Sequence, residues 1–245
     1  MNLSNNKVLI TGGGSGIGLE MGKAFIENGS DVIITGRNEA KLEQACDKLP
    51  GLEYHVADVT KPEDIQGLLA RVKAAGGINV LVNNAGVFNE VNYSGENLAV
   101  EGQLQEVEIN LNGPIRMVNA FMPVLEKATN PAIINVSSGL AFVPLSAAPV
   151  YCATKAALHS WTRSLRFQLD KRKIHVFELI PPPVATKMTE DYKKFNPIST
   201  EKLIQAFKKS FVKNELEITV GQSNGLKKLS RFAPEFIFKQ LNKTF

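Results

Sequence analysis

The strongest constraint on the fold is a repeated alternation of short apolar runs with helical patterns. Most of these runs are unbroken stretches rich in Val, Ile and Leu, which indicates strands buried on both faces of a parallel sheet. Repeated βα units with right-handed crossovers predict an α/β, doubly wound Rossmann fold, a parallel seven-stranded sheet with helices on both faces. The predicted strands are 7–11, 31–35, 52–56, 78–82, 132–136, 174–179 and 215–220.

The segments between these strands show helical spacing. The 245 residues contain no linker, repeat or low-complexity tract, so we expect one domain over 1–245. The regular pattern loosens after the sixth strand, where we expect a lid at about 188–213 and a C-terminal helix at about 232–243. The other predicted helices cover about 16–28, 39–49, a segment opening at 61, 97–129, 149–170 and 198–212.

A glycine-rich loop, Thr11-Gly-Gly-Gly-Ser-Gly-Ile-Gly18, follows the first strand and opens the first helix. A dinucleotide pyrophosphate needs close backbone approach and a helix N-terminus with free N–H groups. Glycine at positions 12, 16 and 18 supplies the turn, the approach and close packing of helix on strand. This context predicts a dinucleotide site, although a glycine-rich loop alone also fits a flexible turn.

The second strand ends with Gly36 and Arg37, where a cofactor with a free ribose 2′-OH favours an acidic residue. A guanidinium can pair with a 2′-phosphate, so this end favours NADP over NAD; otherwise Arg37 is a solvated charge. Asp58, after the third strand, is predicted to accept from an adenine amino group or to cap the following turn. The segment 83–86, Asn-Asn-Ala-Gly, ends the fourth strand, where ligands of such sheets bind.

Tyr151 and Lys155 are four residues apart in a predicted helix and share one face. Alone, such a pair is typical of a helix surface. The serine pair Ser137-Ser138 after the fifth strand is, by itself, typical of a helix cap. An asparagine in a helix, such as Asn110, usually hydrogen-bonds to nearby groups of the same helix. Together with the phosphate loop upstream, and in this order, they predict an acid/base site. A nearby ammonium, together with the positive charge of an oxidised nicotinamide, is expected to favour the tyrosine phenolate.

These motifs, in this order, resemble the short-chain dehydrogenase/reductase family over roughly residues 5 to 188. The match includes the Thr-Gly-x-x-x-Gly-x-Gly loop, Asn-Asn-Ala-Gly, Asn110, Ser138 and Tyr151-Cys-Ala-Thr-Lys155. Segments 138–145, 151–160 (with Leu-His-Ser) and 180–186 resemble a narrower group, the DltE-like bacterial oxidoreductases, named after the lipoteichoic-acid D-alanylation operon.

The resemblance implies roles for the four polar residues. Ser138 would hydrogen-bond the substrate oxygen, Tyr151 would act as general acid and base, and Lys155 would hold the nicotinamide ribose. Asn110 would hold a water that links Lys155 to solvent. The implied function is NADP(H)-dependent interconversion of a secondary alcohol and a carbonyl, in a homodimer or homotetramer; the motifs point to no metal ion.

The sequence departs from the family pattern at Pro182, which stands where the family's Pro-Gly-x-Val-x-Thr segment has glycine. Because proline fixes φ and lacks an N–H, the path of the loop is expected to differ there. Val184 and Thr186 still match and would contact the nicotinamide carboxamide; a polyproline stiffener is the structural alternative. The residues assigned to the cofactor are Gly12, Ser15, Gly16, Ile17, Gly18, Arg37, Asp58, Val59, Asn84, Ala85, Gly86, Tyr151, Lys155, Pro181, Val184 and Thr186.

The substrate side is expected to be apolar. Its expected members are Leu140, Phe142, Val143 and Leu145 near the serine, and Met188, Tyr192 and Phe195 in the lid. Lys193 and Lys194 would serve an acidic group or form a solvated lid face.

Charge and cysteine content add weaker constraints. The net charge is +4, and from Lys187 onward basic residues outnumber acidic ones two to one. Because this basic segment lacks an aromatic-interleaved pattern, nucleic acid is not expected as a partner. Two cysteines, no membrane-span pattern and no secretion signal predict a cytoplasmic protein with reduced thiols. A cofactor-binding sensor, and docking of the Phe-rich C-terminus on a membrane, are the alternative hypotheses.

Overall fold

A computed structural model describes residues 1–95, 98, 100–190 and 195–243. Its sheet has seven parallel strands in the order β3-β2-β1-β4-β5-β6-β7. The predicted α/β, doubly wound sheet is therefore confirmed. The strands are β1 (Lys7–Thr11), β2 (Asp31–Gly36), β3 (Leu52–Val56), β4 (Val80–Asn83), β5 (Ala132–Val136), β6 (His175–Ile180) and β7 (Glu217–Thr219).

The helices of the described residues flank this sheet. They are α1 (Gly16–Ile26), α2 (Glu39–Lys48), α3 (Pro62–Ala74), α4 (Val100–Val107), α5 (Gly113–Leu125), α6 (Pro149–Leu169), α7 (Thr200–Val212), α8 (Gln222–Phe232) and α9 (Pro234–Asn242).

Alternate residues of the strands point into two separate cores. On β1, Val8 and Ile10 pack with α1, α2 and α7, whereas Leu9 packs with α3, α5 and α6. The central strands β4 and β5, which lie between these cores, are buried along their whole length. This two-sided burial is why their sequences are apolar without alternation.

The predicted long helix at 97–129 is wrong in detail. It is divided into α4, a π-helical turn at Glu108–Asn112, and α5, which ends at Leu125 rather than near 129. A π turn widens the helix by one residue, and such turns are frequently found at functional sites. Here it carries Asn110.

The C-terminal region contains more regular structure than expected. The predicted C-terminal helix corresponds to α9, which begins at Pro234 because proline is tolerated in a first turn. The preceding helix α8 was not predicted. Among the described residues, no helix combines the length and the apolar character that crossing a membrane requires.

Candidate active site

The carboxyl ends of the parallel strands open into a cleft with a volume of about 480 Å³. All the residues assigned to the cofactor line this cleft except Gly18, and Ser138 lines it as well. Gly18 and Asn110 do not line the cleft but contact residues that do: Gly18 lies against Gly12 and Asn84, and Asn110 bonds to the backbone of Val87. Among the residues assigned to the cofactor, the sheet brings together positions as distant in the sequence as Gly12 and Thr186.

The phosphate loop is shaped so that only glycine fits at its key positions. Gly12 has a φ of +64°, and a Cβ there would lie 2.8 Å from the Cα of Ala85. A Cβ on Gly18 would lie 2.5 Å from the carbonyl oxygen of Gly12 and from Nδ2 of Asn84. The side chain of Asn84 donates to the carbonyls of Thr11 and Gly12, both at 3.1 Å, and ties the loop to β4.

Helix α1 begins at Gly16 without a side-chain cap, because Ser15 makes no capping hydrogen bond. The first N–H groups of a helix have no partner within it. Gly16, with a φ of +54°, also passes close to Thr186, whose Cγ2 would be 3.2 Å from an added Cβ. A glycine backbone that a ligand can approach closely, N–H groups without helical partners and the positive end of a helix together fit a dinucleotide pyrophosphate.

Arg37 and Asp58 face each other at the far end of the cleft, with 3.9 Å between the guanidinium Nη1 and the carboxylate Oδ2. The Arg37 side chain is half exposed. Asp58 does cap the following turn: its Oδ1 accepts from the backbone N–H and the hydroxyl of Thr60, at 2.9 and 2.8 Å. The capping role, the alternative expected from the sequence, is therefore present, and Asp58 also lines the cleft.

Asn110 does not bond locally, as an asparagine in a helix usually does. Fully buried, it accepts from the N–H of Val87 at 2.9 Å and donates to the Val87 carbonyl at 2.9 Å and to the Thr154 hydroxyl at 3.3 Å. A Cβ on Gly86 would lie 3.3 Å from its Oδ1. The amide therefore fixes the segment after β4 against α6, and the water expected from the resemblance remains a prediction.

Ser138, Tyr151 and Lys155 meet at the inner end of the cleft. Ser138 accepts from the N–H of Leu140 at 3.1 Å, so it is indeed a cap, and it also shares a side-chain hydrogen bond with Tyr151. Lys155 is buried, donates to the carbonyl of Val136 at 2.9 Å, and has its ammonium 5.6 Å from the centre of the Tyr151 ring.

The electrostatics at the tyrosine differ from the expectation. Burial raises the pKa of Tyr151 above its ordinary value, and the hydrogen bond with Ser138 opposes this rise only in part. Burial of the phenol outweighs the lowering that a nearby ammonium favours, and Lys155 is itself desolvated. Burial lowers the pKa of Lys155 to about 8, offset in part by the carboxylates of Glu106 and Glu178. The phenol therefore stays protonated at neutral pH.

The proline segment after β6 reaches the cleft despite lacking the family's glycine. The Pro181 carbonyl accepts from the N–H of Gly139 at 3.0 Å, and Val184 pairs with Ile198 in a parallel bridge. The hydroxyl of Thr189 bonds to the Val184 carbonyl and, with Thr186, forms a capping box around a short turn at Lys187–Thr189. Backbone and side-chain bonds thus hold Val184 and Thr186 beside the phosphate loop.

The substrate end of the cleft is apolar, as expected, but its lining differs in part. Leu140, Leu145, Met188 and Phe195 line it. Phe142 and Val143 do not: Val143 is buried, and Phe142 packs on His159. The expected lid residues Tyr192, Lys193 and Lys194, like Phe245 in the tail, lie outside the described residues.

Five residues missed by the sequence reasoning also shape the site. Phe88 packs edge-on against Tyr151, with ring centres 4.9 Å apart. Leu226 of α8 and Leu241 of α9 line the cleft. The next residue, Asn242, accepts from the N–H of Ser146 at 2.6 Å and donates to the Pro144 carbonyl at 3.1 Å. No local pattern marks these contacts, because they join segments that are distant in the sequence. Asn242, for example, is about 100 positions from Ser146 and Pro144.

Glu106 is the fifth, and a sequence signal for it did exist. It lies four residues before Asn110, so the two share a helix face. Its side chain is fully buried, and Oε1 accepts from the N–H of Asn89 at 3.1 Å, while Oε2 has no hydrogen-bond partner among the described residues. Burial raises the pKa of Glu106 to about 7, although the Asn89 N–H and the charge of Lys155 oppose the rise. Asn110 and Glu106 thus hold the segment that carries Phe88 from both sides.

Comparison with known proteins agrees with this geometry. The family model described as short chain dehydrogenase matches residues 6–197. The oxidoreductase DltE of Bacillus subtilis is 40% identical over 250 aligned residues, which cover 99% of this chain and 98% of DltE.

Two solved structures are similar in fold. A short chain dehydrogenase from Burkholderia cenocepacia in complex with NADP has a TM-score of 0.86 and 25% identity, with 98% of this chain and 99% of that chain covered. The 3-ketoacyl-(acyl-carrier-protein) reductase from Brucella melitensis, complexed with NADH, has a TM-score of 0.81 and 27% identity, with 91% and 100% covered. With the phosphate loop, the polar groups at the inner end of the cleft and the full-length similarity to DltE, the chain belongs to the short-chain dehydrogenase/reductase family of oxidoreductases.

Proposed function

We propose that the protein interconverts a secondary alcohol and a carbonyl with NADP(H), and that Tyr151 is the general acid and base. The observation that carries this proposal is the meeting of Ser138, Tyr151 and Lys155 at the inner end of a cleft whose other end is the phosphate loop and Arg37. Proton-transfer groups at one end and a dinucleotide cradle at the other suit this reaction class.

In the reducing direction the residues act as follows. Tyr151, protonated in its buried position, donates its phenolic proton to the oxygen of the carbonyl as charge develops there. The Ser138 hydroxyl donates a hydrogen bond to the same oxygen and stabilises that charge. Lys155, held by the Val136 carbonyl, places a positive charge beside the phenol that has lost its proton. A bound nicotinamide supplies the hydride chemistry.

The remaining cofactor contacts follow from the cleft. Gly12, Ser15, Gly16, Ile17 and Gly18 would cradle the pyrophosphate. Asp58 and Val59 would border the adenine; Asn84, Ala85, Gly86, Pro181, Val184 and Thr186 would border the nicotinamide half; Lys155 would bond its ribose.

The substrate class is proposed to be an uncharged carbonyl or alcohol with an apolar body. The supporting observation is the apolar wall beyond Ser138, formed by Phe88, Leu140, Leu145, Met188, Phe195, Leu226 and Leu241. Residues at about 188–213 would act as the lid of this one domain.

We expect the purified protein to bind NADPH in the micromolar range and to oxidise it when apolar ketones or aldehydes are added. Intrinsic or NADPH fluorescence measures the binding, and the NADPH absorbance follows a panel of carbonyls that differ in size and charge. Failure to bind either nicotinamide cofactor contradicts the proposal. Acidic carbonyls that react better than apolar ones contradict only the substrate class.

The preference for NADP is proposed to come from Arg37. Replacing Arg37 by Ala removes a charge-assisted bond to the 2′-phosphate, so the Kd for NADPH should rise about tenfold, the equivalent of about 1.4 kcal/mol. The Kd for NADH should stay within a factor of two. Lys48→Ala, the same charge change at the exposed end of α2, is the matched control. Equal losses for both cofactors would show that Arg37 does not read the phosphate.

We also propose a cytoplasmic homodimer or homotetramer formed through α5 and α6. The supporting observation is Phe167 on α6, which is 85% exposed in the isolated chain. Light scattering on the eluted protein distinguishes these states from a monomer.

A further inference from the structure

A second buried carboxylate lies directly behind Ser138. Glu178 is on β6, opposite Asn135 of β5, and its side chain is fully buried. Burying an ionised carboxylate is costly unless it is paired and hydrogen-bonded. The proposed proton transfer does not use the Glu178 carboxylate. Its role is therefore inferred from the side chains that it contacts.

Glu178 joins two other side chains. The hydroxyl of Ser137 donates to Oε1 at 2.6 Å, and Nδ1 of His159 lies 3.0 Å from Oε1 and 2.8 Å from Oε2. The hydroxyl of Ser137 is thereby committed to the carboxylate. This explains in physical terms why Ser138, and not its neighbour, presents its hydroxyl to Tyr151.

His159 stands on the same face of α6 as the acid/base pair. Tyr151, Lys155 and His159 are spaced four and eight residues apart, which places them one above the other on the helix. The His159 ring also meets Phe142 edge-on, with centres 5.0 Å apart. Phe142 ends the short turn at Gly139–Ala141 that Ser138 caps.

His159 on α6 therefore contacts both segments that flank Ser138. Through Glu178 it is linked to Ser137, and through Phe142 to the turn at Gly139–Ala141. Two cationic side chains near Glu178 are bonded elsewhere. Arg166 donates to the carbonyls of Val176 and Leu216, and Lys155 donates to that of Val136. The His159 ring nitrogen, which contacts both carboxylate oxygens, is thus the group that orients Glu178.

We propose that His159, acting through Glu178 and Phe142, is a positioning residue that sets the place of Ser138 relative to Tyr151. This inference rests on the proposed function, in which Ser138 holds the substrate oxygen. It gives the Leu-His-Ser segment after the Tyr-x-x-x-Lys motif a role in the reaction.

The first test is His159→Leu, which keeps the bulk of the ring and removes the donor. We expect kcat to fall about 10- to 100-fold, the size of effect that a displaced reacting group produces, with the Kd for NADPH within a factor of two. His159→Asn restores a donor near the position of Nδ1 and should recover kcat to within about threefold of wild type. His55→Leu, on edge strand β3, is the control.

The second test is the double mutant Ser137→Ala His159→Leu. Both changes act through Glu178, so their combined loss in kcat should be smaller than the product of the two single losses. Multiplicative losses, or a His159→Leu enzyme with kcat within a factor of two of wild type, overturn the inference. A fall in kcat matched by an equal loss of NADPH binding, without recovery in His159→Asn, assigns His159 a general structural role instead.

A readout without activity separates this inference from the proposed function. In the cofactor-free protein, the imidazole ¹⁵N resonances of His159 should show a protonated Nδ1 whose shift moves in Glu178→Gln. An unchanged shift overturns the contact whether or not the protein is active. A wild-type protein that reduces no carbonyl, with the shift responding as expected, overturns the proposed function and leaves the His159–Glu178 contact established.

Discussion

Tyr151→Phe should lose about 10²- to 10⁴-fold in kcat, the usual contribution of a positioned general acid, while its Kd for NADPH stays within a factor of two. The substitution removes one oxygen and leaves the ring in place against Phe88, with centres 4.9 Å apart. Because the phenol is protonated at this buried position, its removal leaves the substrate oxygen without its proton donor.

Single-turnover reduction at saturating NADPH measures this effect on chemistry apart from product release. Tyr93→Phe is the matched control, since Tyr93 is 59% exposed and its hydroxyl bonds to Gln103 rather than to the cleft. A Tyr151→Phe enzyme that keeps more than a tenth of wild-type kcat would mean that another group donates the proton.

Glu106→Gln should change how the stability of the folded protein depends on pH. A carboxyl whose pKa rises on folding, here from 4.5 to about 7, binds more protons folded than unfolded between these values. Stability from this group is fully present below pH 4.5 and is lost as pH rises through about 7. At about 1.4 kcal/mol per pKa unit, the wild type should lose about 3 kcal/mol of unfolding free energy across this window.

Glutamine cannot ionise, so the variant should lack this component of the pH dependence, whatever its stability at one pH. Urea unfolding at closely spaced pH values, with the difference between the two proteins plotted against pH, isolates the group. Glu101→Gln, exposed on the same helix, should track wild type throughout. If the Glu106→Gln curve instead runs parallel to wild type, the buried carboxyl does not titrate in this range.

Most of the fold was predictable because local patterns and the sheet agree. Continuous apolar runs such as Val80–Asn83 are buried on both faces, and the glycine at position 12 has the positive φ that its loop requires. The common face of Tyr151 and Lys155 was predictable for a similar reason: the two residues are one helical turn apart on α6, and helix geometry fixes their direction.

Contacts between distant segments were not predictable from local pattern. Nothing near Asn242 indicates Pro144, and nothing near His159 indicates Glu178, because tertiary packing on the finished sheet makes these contacts. The rise in the pKa of Tyr151 on burial was not predictable for the same reason. Spacing showed a nearby ammonium, but only the folded chain shows how deeply both groups are desolvated.

The contact of α9 with the cleft separates reaction chemistry from substrate choice. Leu241 forms part of the wall, and Asn242 anchors it to the loop that follows Ser138, whereas Tyr151 and Lys155 lie on α6 and Ser138 lies just after β5. Evolution can therefore reshape this helix without disturbing the acid/base pair. Under the proposed function, a change at Leu241 would alter which substrates react without altering the proton-transfer step. Enzymes with the same acid/base groups can therefore differ in substrate specificity through this helix.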